Sequence, residues 1–205
     1  MKLTFAIAAL AAVISTSATA QTDLKVTAAG ENTFRTGTQT ARHLWVDLET
    51  KSVDFSVFAF GWTSAKPEYW VEGWAKQPFL KRGAVSLTPG AFGSWQMGRN
   101  PNYGPAITLS VGNGGWNFTS FNYWIMENGQ APSFFIPNMR LQAPQQGAFR
   151  YGVEASYFHQ GSVDQLRLGP TVSVKVGANA TLRASYLKGT RGEDDQLRTF
   201  ISFRF

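Results

Sequence analysis

A two-residue rhythm constrains this chain more than any other feature, and it runs to the last side chain. Within residues 196–205, Leu197, Thr199, Ile201, Phe203 and Phe205 share one face of an extended strand. Arg198, Ser202 and Arg204 share the other, with Phe200 the exception. The same alternation recurs upstream. Leu44, Val46 and Leu48 oppose Trp45, Asp47 and Glu49; Tyr151 and Val153 oppose Arg150 and Glu154; Val172 and Val174 oppose Ser173 and Lys175. No stretch offers an apolar stripe at period 3.6, so the expectation is an all-β protein. Chain ends are usually frayed and polar, so a closing aromatic calls for a surface that covers it.

This ending resembles the assembly signal of Gram-negative outer-membrane β-barrels, carried here by Ile201, Phe203 and Phe205. The opposite end reads as an export leader. Lys2 precedes an uncharged apolar run from Leu3 to Ile14, and small residues follow, with Ala18 and Ala20 before Gln21. Residues 1–20 are therefore expected to be a signal peptide cleaved after Ala20, and residues 21–205 the barrel. The apolar run is too short to span a bilayer comfortably.

Removing 20 of 205 residues leaves 185, enough for one domain. With no cysteine, neither disulfides nor thiolate chemistry can operate. The mature chain has no run of 18 apolar residues, which excludes a helical membrane protein. Yet the full chain carries 7 Trp, 6 Tyr and 16 Phe, while its mean hydropathy lies slightly below zero. A barrel in lipid would place such rings in interfacial girdles and on its outer wall, and its polar residues in the lumen. The net charge of +6 comes from basic residues scattered singly, so no nucleic-acid partner is expected.

Twelve strands are expected, near 23–34, 40–49, 52–62, 68–78, 83–97, 104–112, 115–127, 133–142, 147–160, 164–177, 180–188 and 196–205. Turn-forming clusters at 50–52, 80–83, 112–115, 143–146 and 177–179 separate them, at a spacing that fits an antiparallel meander. The first strand alternates poorly and the eighth contains Pro137. Dropping both gives ten strands but strands a connection of about twenty residues on the periplasmic side, where turns are short. A soluble β-barrel or sandwich is the structural alternative, since a buried face also alternates. Against it stand the aromatic last strand and the lone mid-strand charges.

If the apolar parity faces lipid, the other lines the lumen. It carries a basic wall of Arg150, Arg167, Lys175, Arg183 and Arg198, and an acidic wall of Asp47, Asp54 and Glu72. Opposed walls would set a transverse field favouring polar or anionic solutes. The competing reading is that the charges neutralise one another in a plugged interior. Trp45, Phe58, Trp70 and Trp74 share the inward parity. They would either stack on flat solutes or simply fill the lumen and its rims.

No catalytic constellation is found. Ser156 and His159 fall on opposite faces, and His43 lies four residues from Asp47, about 13 Å along a strand. Glu193, Asp194 and Asp195 could bind a divalent cation, though a solvated loop is the plainer reading. No cofactor and no metal are expected. The chain resembles a small porin-like outer-membrane protein, similar in layout to the small twelve-stranded porins. The resemblance implies a transmembrane antiparallel up-and-down barrel in the cell outer membrane, passing small polar solutes. It further implies contact with lipid and lipopolysaccharide, and with the barrel-assembly machinery through the last strand. The rivals are a structural or adhesive barrel with a blocked lumen, and a lipid-modifying enzyme.

Overall fold

In the computed structural model, residues 25–35, 40–62, 66–127 and 130–205 are described. The expected leader, residues 1–20, lies outside them. Every regular element among the described residues is a strand. The first half comprises β1 Lys25–Arg35, β2 Thr40–Glu49, β3 Val53–Trp62, β4 Glu68–Ala75, β5 Leu80–Arg82 and β6 Val85–Gln96. The second comprises β7 Asn102–Asn113, β8 Trp116–Glu127, β9 Ser133–Gln142, β10 Phe149–Gln160, β11 Val163–Val176, β12 Ala180–Gly189 and β13 Gln196–Arg204. All pairings are antiparallel and run between sequence neighbours, except that β4 pairs β6 and β13 returns to β1. Twelve strands thus close a ring. The thirteenth, β5, pairs only with the first residues of β6, so the cluster expected as a plain turn at 80–83 is a small hairpin instead.

Closure follows from the seam. Thr27 to Arg35 of β1 lie opposite Arg204 to Gln196 of β13, and the Phe205 N–H donates to the Val26 carbonyl at 2.9 Å. Without that seam two strand edges would present unpaired amides, which hydrocarbon does not tolerate. Where turns must be tight, glycine supplies the backbone. Gly114 and Gly115 have φ of 57° and 83°, as a two-residue hairpin with both central residues left-handed demands. The connections beside the C-terminal end span three residues at 50–52 and three at 177–179; at the other end, 97–101 spans five and 161–162 only two. Connection lengths therefore differ little between the two ends.

The two weak strands both form, and β9 shows why its pattern was faint. Between Met139 and Ile136 it advances three residues while β10 advances two, from Ala155 to Tyr157. This bulge holds Pro137, which lacks the N–H a regular ladder would need. It also flips parity. Ser133 and Phe135 share a face with Arg140 and Gln142, although odd and even positions should oppose.

The outward face is apolar and exposed, including Leu44, Val153, Leu168, Leu182 and Ile201. Aromatic residues crowd its two rims. Tyr69, Trp95, Tyr103 and Trp124 lie at one end, and Trp116, Phe149, Tyr151, Phe203 and Phe205 at the end that carries the C-terminus. The tight core lies inside the ring. Trp74, Phe92 and Tyr123 are buried there with Ala106, packed by Trp70, Phe121, Ile125 and Phe135. Trp70 stacks on Phe92 with centroids 4.1 Å apart, and Tyr123 stands edge-on to Trp70, Trp74 and Phe92 at 5.5–5.8 Å.

This core leaves room for no side chain at Gly90, where a Cβ would lie 2.5 Å from Trp74 Cε3 and 2.8 Å from the Gly73 carbonyl oxygen. Gly93, three residues on, has nothing within 4 Å of that position. Gly90→Val should destabilise the refolded barrel by about 1–3 kcal/mol, the usual cost of overpacking, whereas Gly93→Val should leave stability unchanged. Urea unfolding from lipid vesicles, followed by tryptophan fluorescence, measures both.

Candidate functional site

The register settles which side chains share the interior. On β2, His43, Trp45, Asp47 and Glu49 lie opposite Glu31, Ala29, Thr27 and Lys25 of β1. On β3, Phe58, Ser56 and Asp54 continue the same rows, and on β4 Trp70, Glu72 and Trp74 follow. On the far side, Arg150, Glu154 and Ser156 of β10 face Ser173, Gly169 and Arg167 of β11. Arg183 and Ser185 of β12 face Phe200 and Arg198 of β13. Every residue expected to line the lumen takes the inward parity, but they do not assemble into two uniform walls.

The acidic side is largely spent locally. Asp54 forms an ion pair with Lys76 at 2.8 Å, and Glu49 pairs with Lys76 at 3.0 Å and Arg204 at 2.7 Å. The Lys76 ammonium, held chiefly by Asp54, sits above its usual pKa. Asp47 takes the Ser56 hydroxyl at 2.5 Å. Glu72 does not border open lumen. It is 5% exposed within the aromatic core, and three donors meet it: Trp74 Nε1 at 2.8 Å, Trp70 Nε1 at 3.2 Å and the Tyr123 hydroxyl at 2.7 Å. Its role as part of an acidic wall is corrected accordingly. It ties the indoles and the phenol together, which a buried carboxylate can do when its oxygens are satisfied.

The aromatic strip divides in two. Trp70 and Trp74 belong to the core around Glu72. Trp45 and Phe58 lie 5.6 Å apart, and Trp45 continues to Phe200 at 5.5 Å. Over Phe200 lies the Arg183 guanidinium, 4.2 Å from the ring centroid. Phe200, the break in the alternation of the last strand, is thus an inward ring bridging cation and indole.

The basic residues form three tiers along the barrel. At the C-terminal end, Arg150 and Lys175 line a cavity of about 370 Å³ together with Arg140, Arg183, Phe200 and several hydroxyl and amide groups. Neither Arg150 nor Lys175 has a carboxylate partner among the described residues. In the middle tier Glu154, with a side chain 0% exposed, is ringed by arginines. Arg140 Nε lies 3.2 Å and Arg183 Nε 3.7 Å from its Oε2, and Arg198 Nη1 lies 3.2 Å from its Oε1. The Ser185 hydroxyl donates to Oε2 at 3.0 Å. Arg198 also reaches the Pro137 carbonyl at 2.8 Å, exposed to it by the bulge of β9. Arg183 additionally holds Glu31 at 2.9 Å.

At the opposite end, Arg167 serves the connection between β12 and β13 rather than a wall. It donates to the Asp194 carbonyl at 2.9 Å. The acidic cluster there is likewise absorbed by its own loop. Glu193 accepts from the Leu166 and Arg191 amides, and Asp195 from the Gly189 amide and Tyr186 hydroxyl. The Tyr186 bond and then the Gly189 bond hold the Asp195 carboxyl below its ordinary range.

Arg140 and Glu31 are among the inward charges that sequence patterning missed, with Phe92 and Tyr123 among the rings. Arg140 sits past the parity flip of β9, and Glu31 on the poorly alternating β1. Tyr123 and Phe92 were reachable by carrying parity across neighbouring strands.

No protein-family model matches the chain, and no curated protein is similar to it at a meaningful level. Solved structures are. The KdgM porin in complex with disordered oligogalacturonate superposes with a TM-score of 0.71 at 13% identity, covering 87% of this chain and 99% of that one. The NanC porin gives 0.67 at 14% identity, covering 86% and 98%. An outer-membrane channel from Pseudomonas putida F1 gives 0.63 at 9% identity, covering 90% and 96%. At such identities the likeness carries the fold alone: the chain folds as a barrel closed by twelve antiparallel strands, as those porins do.

Proposed function

We propose that this chain is an outer-membrane channel for passive diffusion of small polar solutes, with a preference for anions. The observation that carries the reading is that Arg150 and Lys175, which have no carboxylate partner among the described residues, line a cavity of about 370 Å³ inside a barrel with an apolar outer face. Uncompensated charge beside low-dielectric walls concentrates the opposite charge. The KdgM likeness supports sugar acids as one class of solute. An expected leader at residues 1–20 and the Phe203 and Phe205 ending support export and assembly in the outer membrane. There the two aromatic rims would meet lipid and lipopolysaccharide headgroups. A non-enzymatic role is supported by Ser156 and His159, which lie on opposite faces of β10.

One observation favours the second reading, a blocked barrel. Arg198 reaches from β13 to the Pro137 carbonyl of β9, and the Glu72 core fills the other side of the ring. Planar-bilayer recording separates the two. Refolded protein should give discrete openings whose reversal potential in a salt gradient indicates anion preference; no openings would favour the blocked barrel. Arg150→Glu with Lys175→Glu should reduce that preference about threefold or more, or reverse it. In cells, Phe203→Ala with Phe205→Ala should lower the amount reaching the outer membrane several-fold, while the same variant refolds in detergent. Equal outer-membrane yields on immunoblot would remove the role assigned to the last strand.

A further inference from the structure

The middle tier is built like an occupied binding site. Three guanidinium groups, from Arg140, Arg183 and Arg198, face two carboxylates, Glu154 and Glu31, which leaves one positive charge over. The arginine side chains are only 18%, 9% and 11% exposed, so the surplus is poorly screened. Glu154 reaches this position because its cross-strand neighbour on β11 is Gly169. No side chain stands between it and Ser185 of β12. A Cβ at Gly169 would collide with the backbone of Tyr186 and Leu187, so only glycine fits.

The two oxygens of Glu154 have different partners. Oε1 meets Arg198, while Oε2 meets Arg140, Arg183 and Ser185. Arg140 and Arg183 are also the two cage residues that line the cavity beside Arg150 and Lys175. Cavity and cage are therefore joined through the same guanidinium groups. Each of the two arginines retains an Nη1 with no hydrogen bond among the described residues. Planar guanidinium groups with open donors suit a carboxylate. The cavity volume falls in the range of small-molecule pockets.

We infer that Arg140, Arg183 and Arg198 form a carboxylate-binding site within the lumen and that Glu154 is its resident competitor. A solute carboxylate arriving from the cavity takes Arg140 and Arg183 from Oε2, while Oε1 keeps Arg198. The third guanidinium lets both anions remain partnered, so the exchange buries no unpaired charge. The inference rests on the channel reading for its transport consequence, but the site itself does not.

Glu154→Gln keeps the shape and removes the competing charge. In planar bilayers it should raise the anion-to-cation permeability ratio several-fold, and lower the concentration of glucuronate that half-blocks the current about tenfold. Neutral glucose should act equally on both proteins. A reversal potential and half-block matching the wild type would overturn the inference. If wild-type protein forms no openings, the channel reading falls but the site is still tested. Titration calorimetry of detergent-solubilised barrel with glucuronate should show tighter binding by Glu154→Gln than by wild type, and equal affinity or no binding overturns it. Should Glu154→Gln not refold, Glu154→Asp draws the carboxylate back from Arg140 and Arg183. It should give an intermediate gain in glucuronate affinity, and wild-type affinity would refute the competition.

Discussion

A backbone amide has no partner in hydrocarbon except another backbone, and the architecture rests on that fact. Twelve strands satisfy one another only because β13 comes round to β1 along nine residue pairs, from Thr27 with Arg204 to Arg35 with Gln196. Once the ring is shut, the two faces of every strand have opposite surroundings. Alternation then ceases to be a statistical tendency and becomes an assignment of each side chain to lipid or to lumen. The thirteenth strand stands outside this constraint, as a hairpin arm at one end where water can serve its free edge.

What fills the ring is uneven, and two buried glutamates mark the unevenness. Glu72 is held by neutral donors, two indoles and a phenol, and organises a compact aromatic mass against β4, β6 and β8. Glu154 is held by cations and sits where β9 to β13 bring arginines together. Both satisfy the rule that a buried carboxylate must be partnered. Their consequences differ. The first site consumes its charge in packing; the second leaves a positive remainder beside an open cavity.

That contrast frames the proposed transport. The solute path is expected to run along the arginine side, since the aromatic mass occupies the other. A bulge at Pro137 contributes by turning its carbonyl to Arg198, which braces the middle of the lumen between β13 and β9. Loops are too short for their lengths alone to suggest a deep lid, so selectivity would depend on wall residues. On the proposed channel reading, discrimination would fall to a few side chains of the cavity and the adjoining middle tier.

Much of the architecture was legible from the chain alone because strand parity is local. Neighbouring residues point oppositely whatever the rest of the protein does, so the strand boundaries, the count closing the ring and the inward parity of Arg150, Arg183, Asp54 and Trp70 could all be read without coordinates. Partnership could not. That Lys76 would neutralise Asp54, that Arg183 would reach Glu31 across 152 residues of sequence, or that Trp70 and Trp45 would join different clusters depends on which strands become neighbours and at what register. The bulge in β9 shows the boundary most clearly. One extra residue reverses parity, hides Arg140 from any periodic reading, and delivers it to Glu154, because facing is set by the hydrogen-bond ladder and not by position in the chain.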